Sequence, residues 1–115
     1  MSSFCKDSLL VILFGSRARG EATPVSDYDL LAVKQEHIGD RLIIRWPAQI
    51  FAYSIDEVDK EIENLNTIVL DALVEGVLLC GDRLLFQKLR NKVDNVVKKR
   101  NLHKTKIGWV PVSNR

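Results

Sequence analysis

Cysteine, histidine and long apolar runs are scarce in this 115-residue chain. The two cysteines, Cys5 and Cys80, form no C-x-x-C pair, and the two histidines belong to no cluster with zinc-ligand spacing. We therefore expect two reduced thiols. The longest purely apolar run, residues 9–14, is far shorter than the roughly 20 residues that span a bilayer. Two arginines follow it where a signal peptide would be cleaved, so we expect a cytoplasmic protein that does not enter the membrane.

Net charge is also small, at a formal +2, which is too little to predict nucleic-acid binding by itself. Acidic residues crowd the middle of the chain and basic residues crowd its end. This distribution favours two solvated helix faces of opposite sign, and the alternative is a basic surface for an acidic partner or a nucleic acid. The length fits one domain. The oligomeric state is left open, with a homo-oligomer among the alternatives.

The apolar pattern predicts mainly strands before Ser54 and helices after it. The run 9–14 is continuous and rich in β-formers, as in a strand buried on both faces, and Ser16 is predicted to cap a short helix after it. Residues 34–47 are compatible with a strand or a short helix, which Pro47 ends. Strands are predicted over residues 9–14, 28–33 and 49–53, and helices from Ser54 to about residue 65, over 67–80 with Gly81 as C-cap, and over 82–99.

This order predicts an α+β protein in which a small mixed β-sheet packs against helices. The domain is predicted to occupy residues 1–102. Residues 103–115 are interpreted as a C-terminal tail, and we expect Trp109 to dock on the body of the protein.

Residues 15–20, Gly-Ser-Arg-Ala-Arg-Gly, have the features of an anion site. The predicted strand ends at Gly15 and Ser16, where a helix begins. A helix start exposes N–H groups without carbonyl partners, and glycine permits a close approach of the backbone. Arg17 and Arg19 add positive charge nearby.

A second polar pattern, Asp27-Tyr28-Asp29, opens the next predicted strand. Side chains at positions i and i+2 of a strand point to the same face, so the two carboxylates repel each other unless a cation joins them. Mg²⁺ is the natural cation, because it takes oxygen ligands from one or two carboxylates and from substrate phosphates. The two patterns together predict a Mg²⁺–triphosphate site.

The combination resembles the signature of the minimal nucleotidyltransferases, in the DNA polymerase β superfamily: an apolar strand, Gly-Ser, then Asp-x-Asp flanked by apolar residues. The resemblance covers roughly residues 9–90 and implies a small mixed sheet backed by helices. It also implies transfer of a nucleotidyl group from an NTP, ATP above all, to a hydroxyl. Carried over by position, it implies nucleotide contacts by Gly15, Ser16, Arg17 and Ser26, and catalytic Mg²⁺ ligation by Asp27 and Asp29.

One position departs from the family pattern. The family places a third carboxylate on the next core strand, often shortly after a proline, and here that position falls on Gln49. Glutamine keeps the shape and one acceptor oxygen but lacks the charge. The substitution should weaken transfer more than nucleotide binding. Glu36 and Asp56 are the alternative acids.

The resemblance further implies a partner. Many minimal nucleotidyltransferases are antitoxins that add AMP to a tyrosine of a HEPN-type toxin. Two functions therefore stay open for this chain. One is an active nucleotidyltransferase that modifies a HEPN-type partner, and the other is a nucleotide-binding and partner-binding module whose catalysis is weakened at Gln49.

Overall fold

A computed structural model describes residues 2–21, 27–36, 39–105 and 108–111 of the chain. Five helices and seven strands lie in these ranges. In chain order they are α1 (Ser2–Asp7), β1 (Leu10–Phe14), α2 (Ser16–Arg19), β2 (Tyr28–Lys34), β3 (Leu42–Arg45), β4 (Ala48–Ser54), α3 (Ile55–Glu63), α4 (Thr67–Glu75), β5 (Val77–Gly81), α5 (Arg83–Lys99), β6 (Leu102–Thr105) and β7 (Gly108–Pro111).

Five of the strands form one mixed sheet in the order β3-β4-β2-β1-β5. Strands β2 and β4 are parallel, whereas the other neighbours in this sheet are antiparallel. The predicted α+β class with a mixed sheet is confirmed. The ambiguous triplet 42–44 belongs to an edge strand, because β3 pairs with β4 on one side only.

Both faces of the central strands are covered. Helices α3, α4 and α5 pack on one face, where Ile12, Leu31 and Val33 of the sheet join the main core. A smaller cluster around Val11, Leu30 and Ile50 covers the opposite face and includes Cys5 of α1. This double coverage is the physical reason why β1 and β2 consist almost entirely of apolar residues.

The two cysteines form a disulfide, so the prediction of two reduced thiols is wrong. Their Cα atoms lie 6.0 Å apart although 75 positions separate them in the chain. Helix α1 carries Cys5 over the sheet to β5, which carries Cys80. The sequence contained no signal for this proximity, because it depends on β5 being a strand.

The predicted helix over residues 67–80 is wrong in its last third. Helix α4 ends at Glu75 with Gly76 as its C-cap, and β5 then pairs antiparallel with β1. Glycine is required at position 76 because an added Cβ would overlap the Ala72 carbonyl oxygen and the Ile12 side chain. Residues 77–80 are all apolar, which is compatible with a buried helix or a strand. They form a strand because the edge of β1 offers hydrogen-bond partners to their backbone groups. Gly81 is consequently part of a strand and caps no helix.

Three of the four predicted helix starts agree with the structure, whereas α1 was not predicted. The predicted capping box is present, since Ser54 accepts from the Glu57 N–H and Glu57 accepts from the Ser54 N–H. Asn66 caps α4. Ser16 is not the N-cap of α2, however; Gly15 takes that position and Ser16 is the first helical residue.

The described residues of the predicted tail form a hairpin of β6 and β7. Trp109 docks on the body as expected, because its indole Nε1 donates to Asp71 Oδ1 of α4 at 2.9 Å. In the part of the chain that the structure describes, no helix is long and apolar enough to cross a membrane.

Candidate functional site

The Gly-Ser turn and the Asp-x-Asp pair meet at one end of the sheet. Phe14, the last residue of β1, pairs with Asp29 near the start of β2. Gly15 follows with φ +78°, a backbone conformation that favours glycine. A Cβ added at Gly15 would overlap Asp29 Oδ2. The turn therefore lies directly against the carboxylate, and both its conformation and this contact require glycine.

Asp29 lies in an environment that disfavours its charge. Partial burial raises the pKa of the Asp29 carboxyl, and the negative charge of Asp27 raises it further. The positive charge of Arg19 acts in the opposite direction. The two aspartates are thus close enough to repel each other, as their spacing predicts. A cation bound between them would relieve the repulsion.

Gln49 joins this pair from the neighbouring strand. Its position in β4 is in register with Asp29 of the parallel strand β2. Its side-chain Nε2 donates a hydrogen bond to Asp27 Oδ2 at 2.9 Å. Gln49 therefore lies beside the aspartates, and it places a neutral amide at the position that the resemblance gives to a third carboxylate.

The alternative acids do not reach the site. Both Asp29 and Gln49 lie at the N-terminal ends of the parallel strands β2 and β4. Glu36 follows the C-terminal end of β2, and Asp56 lies in α3 beyond the C-terminal end of β4. At about 3.3 Å per strand residue, each is roughly 17 Å or more from the aspartates. Within the described ranges, no group of three or more His, Cys, Asp or Glu side chains is arranged to hold a metal ion.

The two arginines of α2 point to different places. The Arg17 guanidinium lies 4.2 Å from the centroid of the Tyr28 ring. Tyr28 is adjacent to both aspartates in the strand, so its side chain points to the opposite face. Arg19 is the arginine whose charge reaches Asp29. The sequence pattern predicted Arg17 as a nucleotide contact and gave no signal for the interaction of Arg19 with Asp29.

Arg19 also connects α2 to helix α4. Its Nε donates to Glu21 at 2.6 Å and its Nη1 to Glu75 at 3.1 Å. Further along the same face of α4, Asp71 accepts hydrogen bonds from Lys104 Nζ at 2.7 Å and from the Trp109 indole. This cluster was not predicted from the sequence. Its signal was the spacing of Thr67, Asp71 and Glu75, which recur every four residues on an otherwise apolar helix. Ser26, a further predicted nucleotide contact, lies outside the described residues.

The donors present fit one Mg²⁺ ion better than two. Asp27 and Asp29 offer two carboxylates at the edge of the Gly-Ser turn, which is the usual protein contribution to a Mg²⁺ site completed by phosphates and water. Gln49 adds only a neutral amide, whose nitrogen is turned toward Asp27. A second cation would lack the charged ligand that the family's third carboxylate supplies.

Comparisons with known proteins identify relatives of this architecture. A family described as "Nucleotidyltransferase domain" matches residues 2–104 of the chain. Among solved structures, a chain from one described as "Crystal structure of the toxin-antitoxin with AMP-PNP" superimposes with a TM-score of 0.58. The two chains are 16% identical, and the match covers 85% of this chain and 84% of that one. At this identity the structural match shows a shared fold.

Proposed function

This chain belongs to the nucleotidyltransferase domain family, and we propose that it binds ATP as its Mg²⁺ complex and transfers AMP to a hydroxyl group. The observation that carries the proposal is the contact between Gly15 and Asp29. It brings an anion-binding turn and a carboxylate pair into one site, and a Mg²⁺–triphosphate needs both.

In this proposal each side chain has one task. The Ser16 hydroxyl and the backbone of the turn contact the outer phosphates. Asp27 and Asp29 hold the Mg²⁺ ion, which neutralises phosphate charge and orients the leaving pyrophosphate when bound. Arg17 keeps its predicted nucleotide contact, and Arg19, whose charge reaches Asp29, also supports the phosphates. Ser26 keeps its predicted nucleotide contact.

The proposed reaction is a displacement at the α-phosphorus of ATP. The acceptor oxygen forms a bond to that phosphorus, the bond to the β-phosphate oxygen breaks, and pyrophosphate leaves. Because Gln49 offers no basic carboxylate, the proton of the acceptor hydroxyl passes to solvent. Holding the triphosphate in a fixed position is then the main contribution of the protein.

The proposed acceptor is a tyrosine of a HEPN-type protein. Two observations support a partner of this kind. Gly15 and Asp29, two residues of the minimal nucleotidyltransferase signature, lie against each other, and Asp27 is close to Asp29. The superimposed structure is described as a toxin–antitoxin with AMP-PNP, which is an ATP analogue.

A second candidate function is favoured by the hydrogen bond between Gln49 and Asp27. The amide occupies one Asp27 oxygen and contributes no charge for a second cation. A domain with this site would bind the nucleotide and its partner but transfer AMP slowly or not at all.

The test is AMP incorporation into a candidate partner, taken from a neighbouring gene that encodes a small all-helical protein with an Arg-x₄-His motif. ATP labelled at the α-phosphate should label the partner, whereas ATP labelled at the γ-phosphate should not, because pyrophosphate leaves. Asp29→Asn is the matched control and should abolish labelling. Complex formation and ATP binding without any labelling would favour the binding module, and labelling that survives Asp29→Asn would refute the proposed site.

A further inference from the structure

A groove of about 860 Å³ lies beside the carboxylate site and plays no part in the proposed chemistry so far. It lies between the end of α2, the polar face of α4 and the β6–β7 hairpin. Its volume is in the range of small-molecule sites, about 300–1,000 Å³. Its lining includes one aromatic side chain, Trp109, and polar side chains from all three elements, among them Arg19, Thr67, Asp71, Glu75 and Lys104.

Asp71 fixes the orientation of the aromatic side chain in this groove. Its Oδ1 accepts from both the Trp109 indole N–H and the Lys104 ammonium group. The same ammonium group lies 5.9 Å from the centroid of the indole ring. Trp109 is therefore held by this hydrogen bond and by its packing against the main core. Asp71 Oδ2 makes no hydrogen bond to any residue of the described ranges, so it can accept one from a ligand.

The groove begins at the carboxylate site. Arg19 lines it and is the last residue of α2, whose N-cap Gly15 lies against Asp29. Helix α2 is a single turn, from Ser16 to Arg19, and one turn rises about 5 Å. A nucleotide whose phosphates contact Ser16 and Asp29 would thus extend its nucleoside past Arg19 and along α4.

We propose that this groove binds the nucleoside part of the nucleotide, with the base stacked on Trp109 and Asp71 accepting a hydrogen bond from the nucleoside. The assignment rests on the proposed function, since it requires the triphosphate to lie at the aspartates. Stacking suits a groove with one fixed indole, because every base has a π-face and aromatic side chains bind bases through it. The C-terminal hairpin is then part of the active site.

Tryptophan fluorescence tests the proposal without weakening the fold. The chain has two tryptophans, and Trp46 is 78% exposed near the end of the edge strand β3. In Trp46→Phe the remaining emission comes from Trp109, and Mg²⁺–ATP should quench it with saturation. Inorganic tripolyphosphate with Mg²⁺ should bind without quenching, because it has no base. In Trp109→Phe, which leaves Trp46, neither ligand should change the emission.

Binding measurements separate this inference from the proposed function. Trp109→Ala should weaken Mg²⁺–ATP binding about tenfold or more, the usual effect of losing one base–aromatic stack, and leave Mg²⁺–tripolyphosphate binding unchanged. Trp46→Ala is the matched control and should change neither. If ATP binds in an Asp29-dependent manner but Trp109→Ala retains full affinity and Trp109 emission does not respond, the groove assignment is wrong and the proposed function stands. If ATP does not bind the wild-type chain at all, the proposed function itself fails.

Discussion

Gln49 donates a hydrogen bond from Nε2 to Asp27 Oδ2 at 2.9 Å, across the parallel strands β4 and β2. The contact puts a neutral amide at the position that the resemblance to the minimal nucleotidyltransferases gives to a third acid. The amide also provides a hydrogen bond to one oxygen of Asp27, whose negative charge is repelled by that of Asp29. We therefore expect this one hydrogen bond to affect both the stability of the metal-free site and, if the proposed function holds, its capacity for a second cation.

Gln49→Asp should increase the rate of AMP transfer, because a third carboxylate supplies a charged ligand for a second cation and a base near the acceptor. Without Mg²⁺ the same variant should be less stable than the wild type, since it loses the bond to Asp27 and adds a like charge beside two others. Mg²⁺ should then raise its melting temperature more than that of the wild type. Labelled transfer and thermal unfolding with and without Mg²⁺ measure both effects. An unchanged rate together with an unchanged response to Mg²⁺ would mean that Gln49 is outside the reacting site.

Ser16→Ala should weaken ATP binding by about 1–3 kcal/mol, the usual cost of losing a hydrogen bond to a charged group. AMP binding should change little, because the lost contact is to the outer phosphates. Calorimetric titrations with ATP and AMP in the presence of Mg²⁺ make the comparison. Equal losses for the two nucleotides would show that Ser16 contacts another part of the ligand.

Glu57 makes the stability of the protein depend on acid pH. The Arg41 guanidinium and the Ser54 N–H lower the pKa of the Glu57 carboxyl from 4.5 to about 2. A carboxyl whose pKa is lower in the folded state stabilises the fold above its unfolded pKa, and this contribution disappears as pH falls through the folded value. Glu57→Gln should therefore be less stable than the wild type at neutral pH, and the difference should shrink between about pH 5 and pH 2.

Urea unfolding at a series of pH values measures this difference. Asp56→Asn is the matched control, because Asp56 lies in the same first turn of α3 and makes no hydrogen bond to a residue in the described ranges. A destabilisation of Glu57→Gln that is constant down to pH 2 would contradict the role of its charge.

The sequence predicted those parts of the site that depend on local spacing. The apolar run before Gly15 predicted β1, and the i, i+2 spacing of Asp27 and Asp29 predicted their mutual repulsion. The first two features need only the period of a strand. The position of Gln49 came from the resemblance to the minimal nucleotidyltransferase pattern, and in the structure Gln49 is in register with Asp29.

The remaining features depend on contacts between distant parts of the chain. Residues 77–80 became strand β5 because β1 had an open edge, and the disulfide of Cys80 with Cys5 follows from that strand. The contact of Arg17 with the Tyr28 ring and the interaction of Arg19 with Asp29 depend on the direction in which a one-turn helix leaves the sheet. The hairpin contacts Asp71 through Lys104 and Trp109, which lie 33 and 38 residues further along the chain. No local pattern encodes these relationships.

The central claim is that Asp27 and Asp29 hold the Mg²⁺ of a bound ATP, and calorimetric titration of Asp29→Asn beside the wild type tests it most directly. Burial and Asp27 raise the pKa of Asp29, so its charge destabilises the metal-free fold above that pKa and the uncharged variant should be at least as stable as the wild type at neutral pH. A loss of binding therefore cannot be attributed to unfolding. The account predicts that wild-type protein binds ATP with Mg²⁺ and only weakly without it, and that Asp29→Asn binds weakly in both cases. Equal, Mg²⁺-dependent affinity in the two proteins would contradict it.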